Sequence, residues 1–148
     1  MNYVVCIKSG DKYGPEYVNV LFNMVKRNLS IDFKFVCFTD NKAGINVAIQ
    51  TYDLPFPGLN GWWNKLALFS KNLPISGTIL FLDLDVVIIK NIDCLFNYKP
   101  REFIILQDYG ERINKKGFRL FIRRILKRLK VSQHLVVLFF DSKPIIII

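Results

Sequence analysis

The chain has 148 residues, 51% of them hydrophobic and 22% charged, with 21 Lys/Arg against 12 Asp/Glu and a formal net charge of +9. Such length and apolar content support one domain with a substantial core, and they argue against a disordered chain. The positive charge is local: nine basic residues and no acid fall between Arg112 and Lys130, while the other 12 basic residues match the 12 acids.

Tyr3 to Ile7 reads as a buried strand, followed by the polar loop Ser9-Gly10-Asp11-Lys12-Tyr13-Gly14-Pro15. A helix is predicted from about Glu16 to Leu29, with Tyr17, Leu21, Met24 and Val25 on one stripe. Phe33 to Phe38 is the second predicted strand, and Ile45 to Gln50 a short third, before the turn Leu54-Pro55-Phe56-Pro57-Gly58. A second helix is expected from about Trp62 to Lys71, with Trp62 and Trp63 packing it on the sheet. Thr78 to Leu82 is the fourth strand, Asp93 to Phe96 a helical turn, and Glu102 to Leu106 the fifth strand. Strands that alternate with helices and read as continuous apolar runs predict an α/β fold with a mainly parallel sheet covered on both faces.

Ligands of such sheets sit at the carboxyl ends of the strands, where the loops after Ile7 and Phe38 and the acids Asp83 and Asp85 fall. In Phe81-Leu82-Asp83-Leu84-Asp85-Val86-Val87-Ile88 the two carboxylates interrupt an apolar run. Positions i and i+2 of a continuing strand share a face, so both are expected to present oxygens to one ion. An unpaired buried carboxylate costs several kcal/mol, roughly, and a divalent cation removes that cost. The pair therefore reads as a metal site, with two turn-capping acids as the alternative.

Cys6, Cys37 and Cys94 are odd in number, widely spaced and set among apolar residues. They predict buried thiols in a reducing compartment. Tyr3 to Ile7 lacks a preceding basic region, so no secretory signal is expected. The longest apolar run, Leu135 to Phe140, is far short of the roughly 20 residues that span a bilayer. A cytoplasmic location is expected. His134, the only histidine, precedes that run and is weighed as a third metal ligand, with little to support it.

After Gly110 the texture changes. Phe118, Phe121, Ile122, Ile125, Leu126 and Leu129 recur at helical spacing among Arg119, Arg123, Arg124, Lys127 and Arg128. A basic amphipathic helix is predicted, and residues 1–110 and 111–148 are read as two units. Its basic face is expected to be solvated or to lie on an anionic membrane surface, at the inner face of the membrane. Nucleic acid ranks last, because the aromatic residues lie on the apolar stripe.

Four blocks together carry a resemblance. They are Tyr17 to Leu29, Phe35-Val36-Cys37-Phe38-Thr39-Asp40, Gly61-Trp62-Trp63-Asn64-Lys65-Leu66, and Leu80 to Val87 with its D-x-D. Over about Tyr3 to Asp108 the chain resembles a bacterial glycosyltransferase of the GT-A fold, similar to glycosyltransferase family 8 and the glycogenin type. The resemblance implies a nucleotide-sugar donor, with a UDP-sugar favoured, and manganese (Mn2+) or magnesium (Mg2+) held by Asp83 and Asp85. It implies a donor site drawn from Lys8, Ser9, Gly10, Tyr13, Asp40, Lys65, Asp83, Leu84 and Asp85, with Lys65 as the catalytic candidate near the donor phosphates and Tyr13 stacking on the base. It implies a glycan or lipid-linked acceptor. The family continues into a second half that supplies the acceptor site, and much of that half is expected to be absent here. One competing reading is a haloacid-dehalogenase-like phosphatase with Asp83 as nucleophile and Asp85 as acid/base. A non-catalytic membrane-surface module is the other.

Overall fold

The computed structural model describes residues 1–56, 58–59, 61–70, 72–98, 104–105, 134–137 and 146–147. The predicted basic helix lies outside them. Strand β1 is Asn2–Lys8, helix α1 Pro15–Asn28, β2 Lys34–Thr39 and β3 Gln50–Tyr52. A 3-10 helix follows at Gly61–Phe69, then β4 Thr78–Phe81, β5 Val87–Ile88 and helix α2 Asp93–Asn97. Short strands β6 (Ile104–Ile105), β7 (His134–Val137) and β8 (Ile146–Ile147) complete the set.

Six strands form one parallel sheet in the order β3-β2-β1-β4-β7-β6, and β5 pairs with β8 in a second. The fold is α/β. Successive strand side chains point to opposite faces, and here both faces are covered. On one, Val4, Cys6, Phe35, Cys37, Leu80 and Leu82 pack with Val18, Leu21, Met24 and Val25 of α1. On the other, Val5, Val36, Phe38, Ile79 and Phe81 pack with Leu68 and Phe69 of the 3-10 helix and with Leu73 and Ile75. Double burial is why these strands read as unbroken apolar runs.

Helix α1 begins with Pro15, whose missing N–H costs nothing in the first turn, and carries Glu16 there and Lys26 and Arg27 in its last turn. Its buried stripe differs from the expected one at a single position. Val18 is buried, whereas Tyr17 is half-exposed and sets its ring edge against Tyr13 at 4.9 Å between centroids.

Three other expectations are corrected. The third strand lies at Gln50–Tyr52, because the stretch before it is a turn: Asn46 Oδ1 accepts the Ala48 N–H at 2.9 Å, and the Asn46 carbonyl accepts the Ile49 N–H at 2.9 Å. Trp63 is exposed, so it is not a core anchor of the 3-10 helix; the Trp62 side chain lies outside the described residues. Cys94 is exposed, unlike Cys6 and Cys37.

Cys6 and Cys37 face each other across the β1/β2 register. Burial first, and then Cys37 beside it, push the Cys6 thiol well above its ordinary value. A thiolate is the reactive form, so Cys94 should react with a thiol reagent in the native protein at least tenfold faster than the other two, roughly. Mass mapping after timed alkylation checks this; equal labelling of Cys6 would contradict the packing.

Gly77 enters β4 at φ 148°, and a β-carbon there would overlap the Met1 carbonyl oxygen, which accepts the Thr78 N–H at 3.1 Å. Gly77→Ala should therefore lower stability by about 1–3 kcal/mol, read from urea denaturation. A neutral result would mean that the Met1 end moves aside without cost.

Candidate functional site

The strand order makes β1 and β4 neighbours, with β2 and β3 to one side and β7 and β6 to the other. The connection reverses direction between β1 and β4, and the crevice at such a reversal, at the carboxyl ends of the strands, is where open parallel sheets take ligands. The loop Ser9-Gly10 leaves β1 there. Asp83 and Asp85 leave β4 there.

The D-x-D geometry differs from the expected one. β4 ends at Phe81, and the Leu82 N–H donates to the Val5 carbonyl at 2.9 Å as the last rung toward β1. The Val86 N–H then donates to the Asp83 carbonyl at 3.3 Å, which closes a turn over residues 83–86. The two acids thus converge through a turn, since the pleat that would align i and i+2 has already ended. Leu84 between them is buried in the α1-side core, so a ligand meets it only through its backbone.

Each carboxylate has a defined partner. Lys65 Nζ, from the 3-10 helix, lies 2.8 Å from both Asp83 Oδ1 and Oδ2, with the two side chains only 15% and 14% exposed. The Tyr13 hydroxyl, from the loop after β1, donates to Asp85 Oδ2 at 3.1 Å. Tyr13 is therefore directed at the D-x-D turn, with its ring edge on Tyr17 and the Lys12 ammonium 4.9 Å from its centroid. Among the described residues no ammonium or guanidinium pairs with Asp85.

A cleft of about 470 Å3 at the ends of β1, β2 and β3 is lined by Ser9, Gly10, Thr39, Asp40, Asp53, Leu54, Phe56, Gly58, Leu59 and Gly61, and none of the four D-x-D cluster residues lines it. Its walls are tied together. The Gly10 N–H donates to Asp40 Oδ2 at 2.6 Å, which joins the loops after β1 and β2. Lys8 is buried at the end of β1, with Nζ 3.4 Å from the Gly10 carbonyl. The Asn64 amide nitrogen lies 3.1 Å from Ser9 Oγ, 3.0 Å from the Leu59 carbonyl and 3.2 Å from the Gly61 carbonyl.

The candidates thus fall into two groups. Lys65, Tyr13, Asp83 and Asp85 form the D-x-D cluster; Ser9, Gly10 and Asp40 line the cleft, and Lys8, which is not in its lining, bonds the Gly10 carbonyl. Sequence reading gave no role to Asn64 or to Asp53, Leu54 and Phe56. The signal for Asn64 was its place three residues after Gly61, where an asparagine on a helical turn reaches back to the carbonyl. His134 lies in β7, next to Thr78 of β4, with its side chain outside the described residues.

No protein-family model, curated protein or solved structure matches this chain. The site is argued from its own chemistry. Among the described residues no three His, Cys, Asp or Glu side chains gather at one point. The donor set still fits a hard divalent cation as a two-carboxylate half-shell, since such ions take oxygen ligands and keep several waters or phosphate oxygens. With the Lys65 ammonium beside it, the cluster carries a net charge of about −1.

Proposed function

We propose that this chain is the nucleotide-binding part of a metal-dependent glycosyltransferase of the GT-A type, taking a nucleotide-diphosphate sugar, with UDP-sugars favoured. The observation that carries the reading is the position of the D-x-D turn at the reversal between β1 and β4, where the loop that leaves β1 also lines the cleft. A divalent ion held by Asp83 and Asp85 would bridge the diphosphate oxygens and stabilise the charge that the leaving group gains.

The chain's own residues divide the remaining work. The cleft, with its Gly10 backbone, receives the nucleoside side of the donor. Asp85, held by the Tyr13 hydroxyl, offers the hard oxygen that no cation already pairs with among the described residues. Lys65 faces Asp83 and supplies positive charge where phosphate oxygens approach the turn. The phosphatase reading, with Asp83 as nucleophile and Asp85 as acid/base, uses the same two acids and is separated by its hydrolytic activity. A membrane-surface role would rest on residues 112–130, outside the described residues.

Calorimetric titration of the intact chain with UDP tests the proposal. Binding at micromolar to millimolar Kd, about −8 to −4 kcal/mol, is expected in manganese, and most of it should vanish in a chelator. Equal binding in both conditions would overturn the metal reading. Hydrolysis of a generic aryl phosphate in magnesium would favour the phosphatase.

A further inference from the structure

The 3-10 helix Gly61–Phe69 carries a buried polar side chain, Asn64, that the proposed function has not used. Asn64 is only 2% exposed, although it lies on a short 3-10 helix at the mouth of the sheet. Burying a carboxamide is unfavourable unless its hydrogen bonds are met. Those of Asn64 are met from two different walls of the cleft: by Ser9 Oγ, in the loop after β1, and by the Leu59 carbonyl and the carbonyl of Gly61, the first residue of the 3-10 helix. Its neighbour in sequence, Lys65, turns the other way to Asp83.

We infer that Asn64 is a positioning residue that fastens the β1 loop to the Leu59/Gly61 wall and so sets the cleft in register with the Lys65–Asp83 pair. Among the described residues the amide is the one group that donates to both walls from a buried point. Without it that link between the walls is lost, and Ser9 and Gly10 lose a hold on the face where a nucleotide lies. The nucleotide part of the inference rests on the proposed function; the fastening part does not.

Two hydrogen-bonded amides report the fastening in the free protein. The Gly10 N–H donates to Asp40, and the Leu59 N–H donates to the Phe56 carbonyl at 3.4 Å. Asn64→Leu keeps the approximate size and removes the donor, so Ser9 Oγ and the Leu59 and Gly61 carbonyls all lose the amide; Asn64→Asp would not serve, because the Ser9 hydroxyl can donate to a carboxylate. In this variant the exchange of both amides, measured by NMR or by mass spectrometry of the 9–14 and 54–61 peptides, should rise about tenfold or more, while β1, β2 and β4 amides hold. UDP affinity in manganese should fall about tenfold, with the affinity for manganese alone unchanged.

Unchanged exchange at both amides would overturn the inference. Faster exchange with unaltered UDP affinity would leave a structural fastener and overturn the positioning role. Failure of the unaltered chain to bind UDP would count against the proposed function, and the exchange result would still decide the fastening. Should Asn64→Leu fail to fold, Ser9→Ala carries the test: it removes one acceptor only, so the Gly10 amide alone should accelerate. No change there would overturn the link.

Discussion

Asp85→Asn is expected to weaken manganese-dependent UDP binding by about 100-fold or more, close to 3 kcal/mol, with little change in stability. The substitution keeps the shape and removes one charge and one strong oxygen ligand. Its hydrogen bond from the Tyr13 hydroxyl at 3.1 Å survives on an amide oxygen. Asp83→Asn should differ in a telling way. Lys65 Nζ stands 2.8 Å from both Asp83 oxygens in a largely buried pair, so this variant should lose about 1–3 kcal/mol of stability as well as metal-dependent binding. Calorimetry for binding and urea denaturation for stability separate the two effects. If both variants kept manganese-dependent binding, the acids would be turn-forming residues only, and the proposed chemistry would fail with them.

Phe81→Ala should destabilise the protein by about 3–5 kcal/mol, a large part of the 5–15 kcal/mol typical of a domain. Phe81 is 1% exposed at the end of β4, in the core between the sheet and the 3-10 helix. The Lys65 ammonium also lies 5.7 Å from its ring centroid, so the loss removes packing beneath the site. The urea midpoint should fall while the slope of the transition stays the same. A loss below about 1 kcal/mol would mean that the 3-10 helix does not seal that face of the sheet.

The chain's own pattern determined the class of fold. Apolar runs at β1, β2 and β4 have no polar alternation, which only strands buried on both faces show, and the period of α1 marked Leu21, Met24 and Val25 as its core face. It also placed Asp83 and Asp85 at a strand end, because acids inside a doubly buried strand would be too costly. These inferences need only local periodicity and desolvation. Where local patterns compete, sequence reading failed: the apolar residues at 45–49 suggested a strand, yet asparagine hydrogen bonds made a turn there and moved β3 to Gln50–Tyr52.

What acts together at the site was decided by tertiary structure alone. Tyr13 meets Asp85 across 72 residues, Gly10 meets Asp40 across 30, Asn64 meets Ser9 across 55, and Lys65 meets Asp83 across 18. No local propensity encodes such pairings, because they depend on which strand edges join. Once β4 pairs with the free edge of β1, both strands end at one crevice and the loops that leave them must share it. The same pairing ended β4 at Phe81 and put the acids in a turn, where Lys65 and Tyr13 reach them from separate elements.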